Sequence, residues 1–260
     1  MERAFFYLRL MLSKAQIKTL NQLKMAKYRR QQDRFIAEGS INVLDFVKGP
    51  LRVEKIYASA EWLSGHAPEL AGTDCETVTS KEMLKISSLK NPSEVLAVIK
   101  KPEYALPDIT AIDRYVLALD DIKDPGNLGT IIRTADWFGI NDIVCSSNTV
   151  DAFNPKVVQA SMGSLARVRV HYTDLASYFE RKPSGMDIFG AVLDGEDIRQ
   201  MAKPGKGILL IGSEAHGISP SLYPFIDQRI RIPAAETSGA ESLNAAVAAS
   251  LVCYAFLKNE

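Results

Sequence analysis

Val116-Leu-Ala-Leu119, followed after a short polar passage by Asn127-Leu-Gly-Thr-Ile-Ile-Arg133-Thr134, is the stretch on which the reading of this chain turns. Four aliphatic residues without alternation read as a strand buried on both faces, the kind found in parallel sheets. The same arrangement recurs downstream: Ile208-Leu-Leu-Ile211 leads into Gly212-Ser-Glu214-Ala-His-Gly217, and Ile230-Arg-Ile232-Pro233 precedes Ser242-Leu-Asn244. Around these runs the pattern predicts helices over 130–138, closed by Gly139, from 155, over 175–181, and over 242–258 with Ser242 as its N-cap. Further strands are predicted over 143–145, 168–170 and 188–193. Strand and helix alternating in this way specify an α/β fold, a parallel sheet with helices on both faces. Ligands of such sheets bind beyond the carboxyl ends of the strands, so the three loops would line one crevice.

Upstream of this region, Pro102 and Pro107 interrupt the periodicity between Lys100 and Asp108 and read as a linker. Two domains are therefore expected, 1–107 and 108–260. The first shows a helical period over 13–27, with apolar Ile17, Leu20 and Leu23, and strand-like runs over 34–37, 55–58 and 95–99, which together make a small α/β domain.

Formal net charge is zero, yet the charge is unevenly placed. Residues 1–108 carry 17 Lys and Arg against 13 Asp and Glu, and 109–260 carry 14 against 18, a difference of +4 and −4. Arg3, Arg9 and a cluster at Lys24, Lys27, Arg29 and Arg30 make the amino-terminal stretch the candidate contact for a polyanion such as RNA. No apolar run is long enough for a membrane span, and no leader with a cleavage site is evident, so a soluble cytoplasmic protein is expected. Cys75, Cys145 and Cys253 are too scattered for a disulfide framework or a zinc knuckle. His66, His171 and His216 form no metal-binding motif, and no metal is expected. Gly212–Gly217 has the spacing that opens a phosphate-binding loop, but Ile218-Ser219 follows where Lys-Ser/Thr is required.

The wording of the three loops resembles the motifs of the SpoU/TrmH family of RNA ribose 2′-O-methyltransferases. The likeness runs from Asp124-Pro-Gly-Asn127 through Arg133-Thr134-Ala135, and Asn154-Pro-Lys156 to Ser161-Met-Gly163 is similar to the family's linking helix. Ala234 stands where Met is common, and the loop from Pro233 to Ser242 is longer than the usual pattern. Tyr28-Arg29 and Phe35-Ile-Ala-Glu38-Gly39 resemble the family's substrate-binding domain, itself similar to a small RNA-binding ribosomal protein. The resemblance implies a trefoil-knotted catalytic domain, a homodimer and an RNA substrate, with rRNA favoured over tRNA. It implies S-adenosylmethionine held by Gly212, Ile232 and Leu243, with Gly217 letting the backbone approach. Arg133 would be central to catalysis, with Asn127, Glu214, Ser242 and Asn244 orienting ribose, Arg and cofactor. A guanidinium is a poor general base at neutral pH, so Arg133 is expected to hold a phosphate or stabilise a developing alkoxide. Two alternatives stand beside this one: a non-catalytic RNA-binding or ribosome-assembly protein on the same fold, and a methyltransferase acting on a base.

Overall fold

The computed structural model describes residues 11–257; Arg3, Arg9 and Lys258 lie outside them. The chain divides into two compact units, one comprising the described residues up to Pro102 with Phe153–Gln159, the other Glu103–Ala152 with the described chain from Ala160 onward. The prolines alone place a single boundary at Pro107. Packing assigns Phe153 to the first unit, where its ring lies 4.7 Å from that of Phe35 and 5.6 Å from the Lys101 ammonium.

In the first unit, helix α1 (Lys14–Gln22) opens on a reciprocal cap: Ser13 Oγ accepts the Gln16 N–H at 3.2 Å, and Gln16 Oε1 accepts the Ser13 N–H at 2.9 Å. The single helix expected over 13–27 is broken, and α2 (Ala26–Gln32) begins anew after Met25, whose backbone is extended. A helix end leaves carbonyls without partners. Arg29, only 2 % exposed, supplies them, its guanidinium donating to the carbonyls of Leu23 at 3.0 Å and Lys24 at 2.9 Å. Expected to meet RNA, Arg29 is instead turned inward, where it holds the break between the helices together.

The unit continues with β1 (Arg34–Glu38), α3 (Ser40–Lys48), β2 (Val53–Ala58), α4 (Ala60–Gly65), β3 (Cys75–Thr77), α5 (Ser80–Ile86) and β4 (Val95–Lys100). The sheet order is β1-β4-β2-β3, with β4 antiparallel to both neighbours and β3 parallel to β2. Val95 to Ile99 is buried throughout, as a central strand requires.

In the second unit, β5 (Tyr115–Leu119), α6 (Pro125–Trp137), β6 (Asp142–Ser146), β7 (Arg169–Thr173), α8 (Leu175–Phe179), β8 (Ile188–Asp197), β9 (Gly207–Ile211), β10 (Gln228–Arg231) and α9 (Ala245–Phe256) follow in order; α7 (Pro155–Ser161) falls between β6 and β7 in the chain, and its residues up to Gln159 belong to the first unit. The sheet runs β10-β8-β9-β5-β6-β7, every neighbouring pair parallel. The parity of β5 shows how it is covered. Val116 and Ala118 join Leu175, Tyr178 and Phe179 of α8 in one core. Tyr115, on the opposite face, meets Phe256 of α9 at 5.4 Å between ring centroids.

Several boundaries differ from those expected. Helix α6 starts at Pro125, because Asp124 caps it by accepting the Asn127 N–H at 2.9 Å; the motif thus occupies the first helical turns. Its other end closes at Gly139, at φ 72°. Strand β8 continues past Leu193 to Asp197 with a register slip against β10, where a Cβ on Gly195 would come within 2.6 Å of the Ile230 carbonyl carbon. The cap of α9 is Asn244, whose Oδ1 accepts from the Ala246 and Val247 N–H groups at 3.0 and 3.3 Å. Ser242 lies too early in the chain for that role. Of the apolar residues crowded on α9, Val252 and Phe256 are in the core, while Leu251 and Tyr254 remain exposed.

Candidate active site

Loops after β5, β9 and β10 converge in the second unit through three side chains. Asn127 Nδ2 donates to Glu214 Oε1, and Asn244 Nδ2 donates to Asn127 Oδ1 at 2.9 Å. Glu214 Oε1 also accepts the Ala245 N–H at 3.4 Å, so this carboxylate lies at the start of α9, where a helix favours negative charge. Each residue comes from a different motif, separated by 87 and 117 positions in the chain. Asn127 is a donor, an acceptor and a first-turn residue at once, and its helix is started by Asp124.

The loop between β9 and Ile218 folds back on itself. Ser213 and Gly217 exchange backbone hydrogen bonds at 3.0 and 2.9 Å. A Cβ on Gly212 would lie 2.1 Å from the Gly217 carbonyl carbon, so glycine here is demanded by the chain's own closure. Gly217 answers a different need: its φ is +64°, and nothing lies within 4 Å of the place a Cβ would take. Its backbone is therefore open on that side, whereas that of Gly212 is covered by protein.

Asp120 is a member of this site that sequence reading passed over. It follows β5 directly and is 4 % exposed. Its N–H donates to the Ile211 carbonyl at 2.9 Å, and its Oδ2 accepts the Ser219 N–H at 2.8 Å. One residue thereby ties both the entry and the exit of the Gly212–Ile218 loop. The available signal was a carboxylate abutting a fully apolar strand, a place where a charge requires partners.

The remaining expected residues are less joined. Ile232 is half-buried, Leu243 is 44 % exposed, and Ser242 is exposed with no hydrogen bond among the described residues. Arg133 lies on the exposed side of α6 with Thr130 and Trp137, at helical i+3 and i+4 spacing. Six residues separate it from Asn127, about 9 Å along the axis and roughly a third of a turn away in direction. It has no hydrogen bond or ion pair among the described residues, so the Asn127–Glu214–Asn244 set does not include it. Cys145 and Cys253 take no part: burial pushes both thiols up, Cys253 to about 12. Among the described residues no group of three or more His, Cys, Asp or Glu is placed to hold a metal ion, and no helix is long and apolar enough to cross a membrane.

A profile described as the SpoU rRNA methylase family matches residues 114–254, the β5-to-α9 region that carries this constellation. The chain belongs to that family. Residues 14–97 match a second profile, the MRM3-like substrate binding domain. A relative from Bacillus subtilis (strain 168), the 23S rRNA (guanosine(2553)-2′-O)-methyltransferase RlmP, is 32 % identical over 240 residues, spanning 92 % of this chain and 94 % of the relative. Among solved structures, a putative RNA methyltransferase of the TrmH family from Porphyromonas gingivalis superposes with a TM-score of 0.82 at 36 % identity, covering 95 % of this chain and 98 % of the other. An AdoMet-bound rRNA methyltransferase from Sinorhizobium meliloti gives 0.84 at 27 % identity, with 95 % of each chain covered. This SpoU chain therefore shares the architecture of its relatives along nearly its whole length.

Proposed function

We propose that this protein transfers a methyl group from S-adenosylmethionine to a ribose 2′-hydroxyl of ribosomal RNA. The observation that carries the reading is the joining of Asn127, Glu214 and Asn244, one from each motif, beside the open backbone of Gly217. The residues present suit the cofactor: exposed Leu243 and half-buried Ile232 supply apolar surface for a purine, and Glu214 supplies negative charge for a cationic ligand. When bound, S-adenosylmethionine provides an electrophilic methyl on a sulfonium centre.

The protein's part is alignment and charge. Gly217 admits the cofactor to the main chain, while Gly212 shapes the loop that presents it. Asn127 and Asn244 fix Glu214 and, with Ser242, line the ribose side. Arg133, unengaged by other described residues, is free to hold a phosphate or to stabilise the alkoxide that develops as the hydroxyl loses its proton. Exposed Lys27 and Arg30 of α2 add affinity for RNA. Lys24 contributes less, because its ammonium already donates to the Ser87 carbonyl at 2.7 Å and burial lowers its pKa against the pull of Glu38.

The protein acts as a homodimer in this reading. Trp137 of α6 is 84 % exposed, and Val247, Leu251 and Tyr254 of the adjoining α9 are exposed with it, an apolar surface that a second copy would cover. The test of function is tritium transfer from labelled S-adenosylmethionine to deproteinised ribosomal RNA, followed by nuclease digestion. Label in a 2′-O-methyl nucleoside is the expected result; label on a base, or none with ribosomal RNA, overturns the reading.

A further inference from the structure

We infer that the RNA-contacting surface of the first unit extends beyond Lys27 and Arg30 to a lysine face built from α1, α5 and the loop after α5, with Lys14, Lys18, Lys81, Lys85 and Lys90 as its phosphate contacts. The inference rests on the reading of the protein as an RNA methyltransferase. Chain position hides this face, since charge is densest around α2, where Arg29 is consumed inside the fold.

The two helices adjoin. Leu20 and Leu23 share a core with Met83 and Ile86, Asn21 Nδ2 donates to the Lys85 carbonyl at 2.9 Å, and Lys24 Nζ reaches the Ser87 carbonyl at 2.7 Å. Lys14 and Lys18 stand one turn apart on α1, as do Lys81 and Lys85 on α5, so each pair stacks on one side of its helix. All four are exposed, as is Lys90 in the following loop, and no ammonium of the five has a hydrogen-bond or ion-pair partner among the described residues.

Neighbouring acids form no ion pair with these lysines among the described residues, although Glu82 and Lys85 attract each other. Helix α1 contains none. In α5 the one acid, Glu82, is turned inward: it accepts from the Thr79 N–H, the Thr79 hydroxyl and the Leu12 N–H at 2.9, 2.8 and 2.5 Å. Glu76 is paired with Lys55 at 3.0 Å, and Glu38 is buried against Ser87 and Ser88. Like charges stacked at i,i+4 without acids between them destabilise a helix. A polyanion laid across both helices relieves that repulsion, and the phosphate backbone of the RNA is the polyanion that the proposed reaction brings.

The experiment compares filter binding of deproteinised large-subunit ribosomal RNA across a salt series for the full-length protein and two variants. One carries Lys14→Gln, Lys18→Gln, Lys81→Gln and Lys85→Gln. The other, carrying Lys48→Gln and Arg52→Gln, removes exposed cations elsewhere in the same unit. The face variant is expected to lose at least tenfold in affinity and to flatten the salt slope by about 0.7 to 0.9 per contact removed. The control pair is expected to change little, and both should keep S-adenosylmethionine binding and the wild-type melting temperature. Unchanged RNA binding in the face variant overturns the inference, as does an equal loss per charge in the control. Loss confined to protein-containing ribosomal particles would assign the face to a protein and also overturn it. If the unaltered protein binds no RNA at all, the underlying reading fails with it.

Discussion

In the second unit, one polar residue from each of three motifs is accessible yet bonded to the others; in the first, some charged residues are spent inside the fold and others form no bond among the described residues. Asn127, Glu214 and Asn244 illustrate the first arrangement, since each satisfies another and all are accessible. Arg29, Glu38 and Glu82 are spent on carbonyls, hydroxyls and N–H groups, while Lys18, Lys81 and Lys85 form no hydrogen bond or ion pair among the described residues. The difference matches what the proposed function asks of each surface. Aligning two small reacting groups needs fixed geometry, whereas meeting a phosphate backbone needs only unpaired charge spread along a face.

The sharpest way to break this comparison is Arg133→Ala. Arg133 is the one cation among the expected site residues of the second unit, and it has no hydrogen bond or ion pair among the described residues. If it acts on the transition state, its loss should lower methyl transfer by about two orders of magnitude or more, with binding of cofactor and RNA nearly unchanged. Full activity in the tritium assay, or a loss confined to RNA affinity, would place Arg133 with the free lysines instead. Next in size is Asp120→Ala, which unties the exit of the Gly212–Ile218 loop at Ser219 and leaves the backbone tie to Ile211 in place. Affinity for S-adenosylmethionine, measured by calorimetry, should fall roughly tenfold or more, matching about 1.4 kcal/mol for the charged hydrogen bond removed. Asp120→Asn, which keeps an acceptor for the Ser219 N–H, should restore most of it; equal damage from both variants would show that the carboxylate has some other role.

Legibility in the sequence followed the same division. The motif loops of Asn127 and Glu214 could be read because spacing after a buried strand determines where a backbone emerges, whereas Asn244 follows the mostly exposed β10 at a distance and was legible only through the motif wording. What the spacing did not convey was where α6 begins, since a capping Asp124 outweighed the poor helix propensity of Gly126 and Gly129. Nor did it separate Gly212 from Gly217, because close self-approach and left-handed backbone both select glycine. Charge was the weaker guide. The residue type at position 29 does not reveal that a helix break a few residues earlier needs its donors, and Lys81 and Lys85 join α1 only after folding.

Stability measurements on the first unit sharpen the comparison at a smaller scale. Arg29→Ala removes the donor that satisfies two carbonyls at the α1–α2 break and should cost roughly 1–3 kcal/mol in denaturant unfolding. Combined Lys27→Ala and Arg30→Ala changes, on the same helix, should stay within about 0.5 kcal/mol. A neutral Arg29 variant would mean that the break holds without its guanidinium, and that Arg29 is available to RNA after all.

The smallest effect concerns a charge that the second unit does spend inside its fold. Asp142 pairs with Arg169 at 2.8 and 2.5 Å and with His171 Nε2 at 2.8 Å, with Tyr104 also nearby. Burial alone would raise its pKa, but the hydrogen bonds from His171 and Arg169 outweigh that and hold it below the usual carboxylate range. A carboxylate with a lowered folded pKa adds stability above its unfolded pKa of about 3.9, and that increment fades as pH falls through the folded value. Wild type should therefore melt a few degrees above Asp142→Asn at pH 7, with the gap shrinking steadily below about pH 4. Arg169, whose pKa its bonds to Asp142 raise further, stays charged across this window, so its titration does not mimic the carboxylate's. A gap that is constant from pH 7 to pH 3 would locate the effect in packing and show that the Asp142 charge is not what the fold uses.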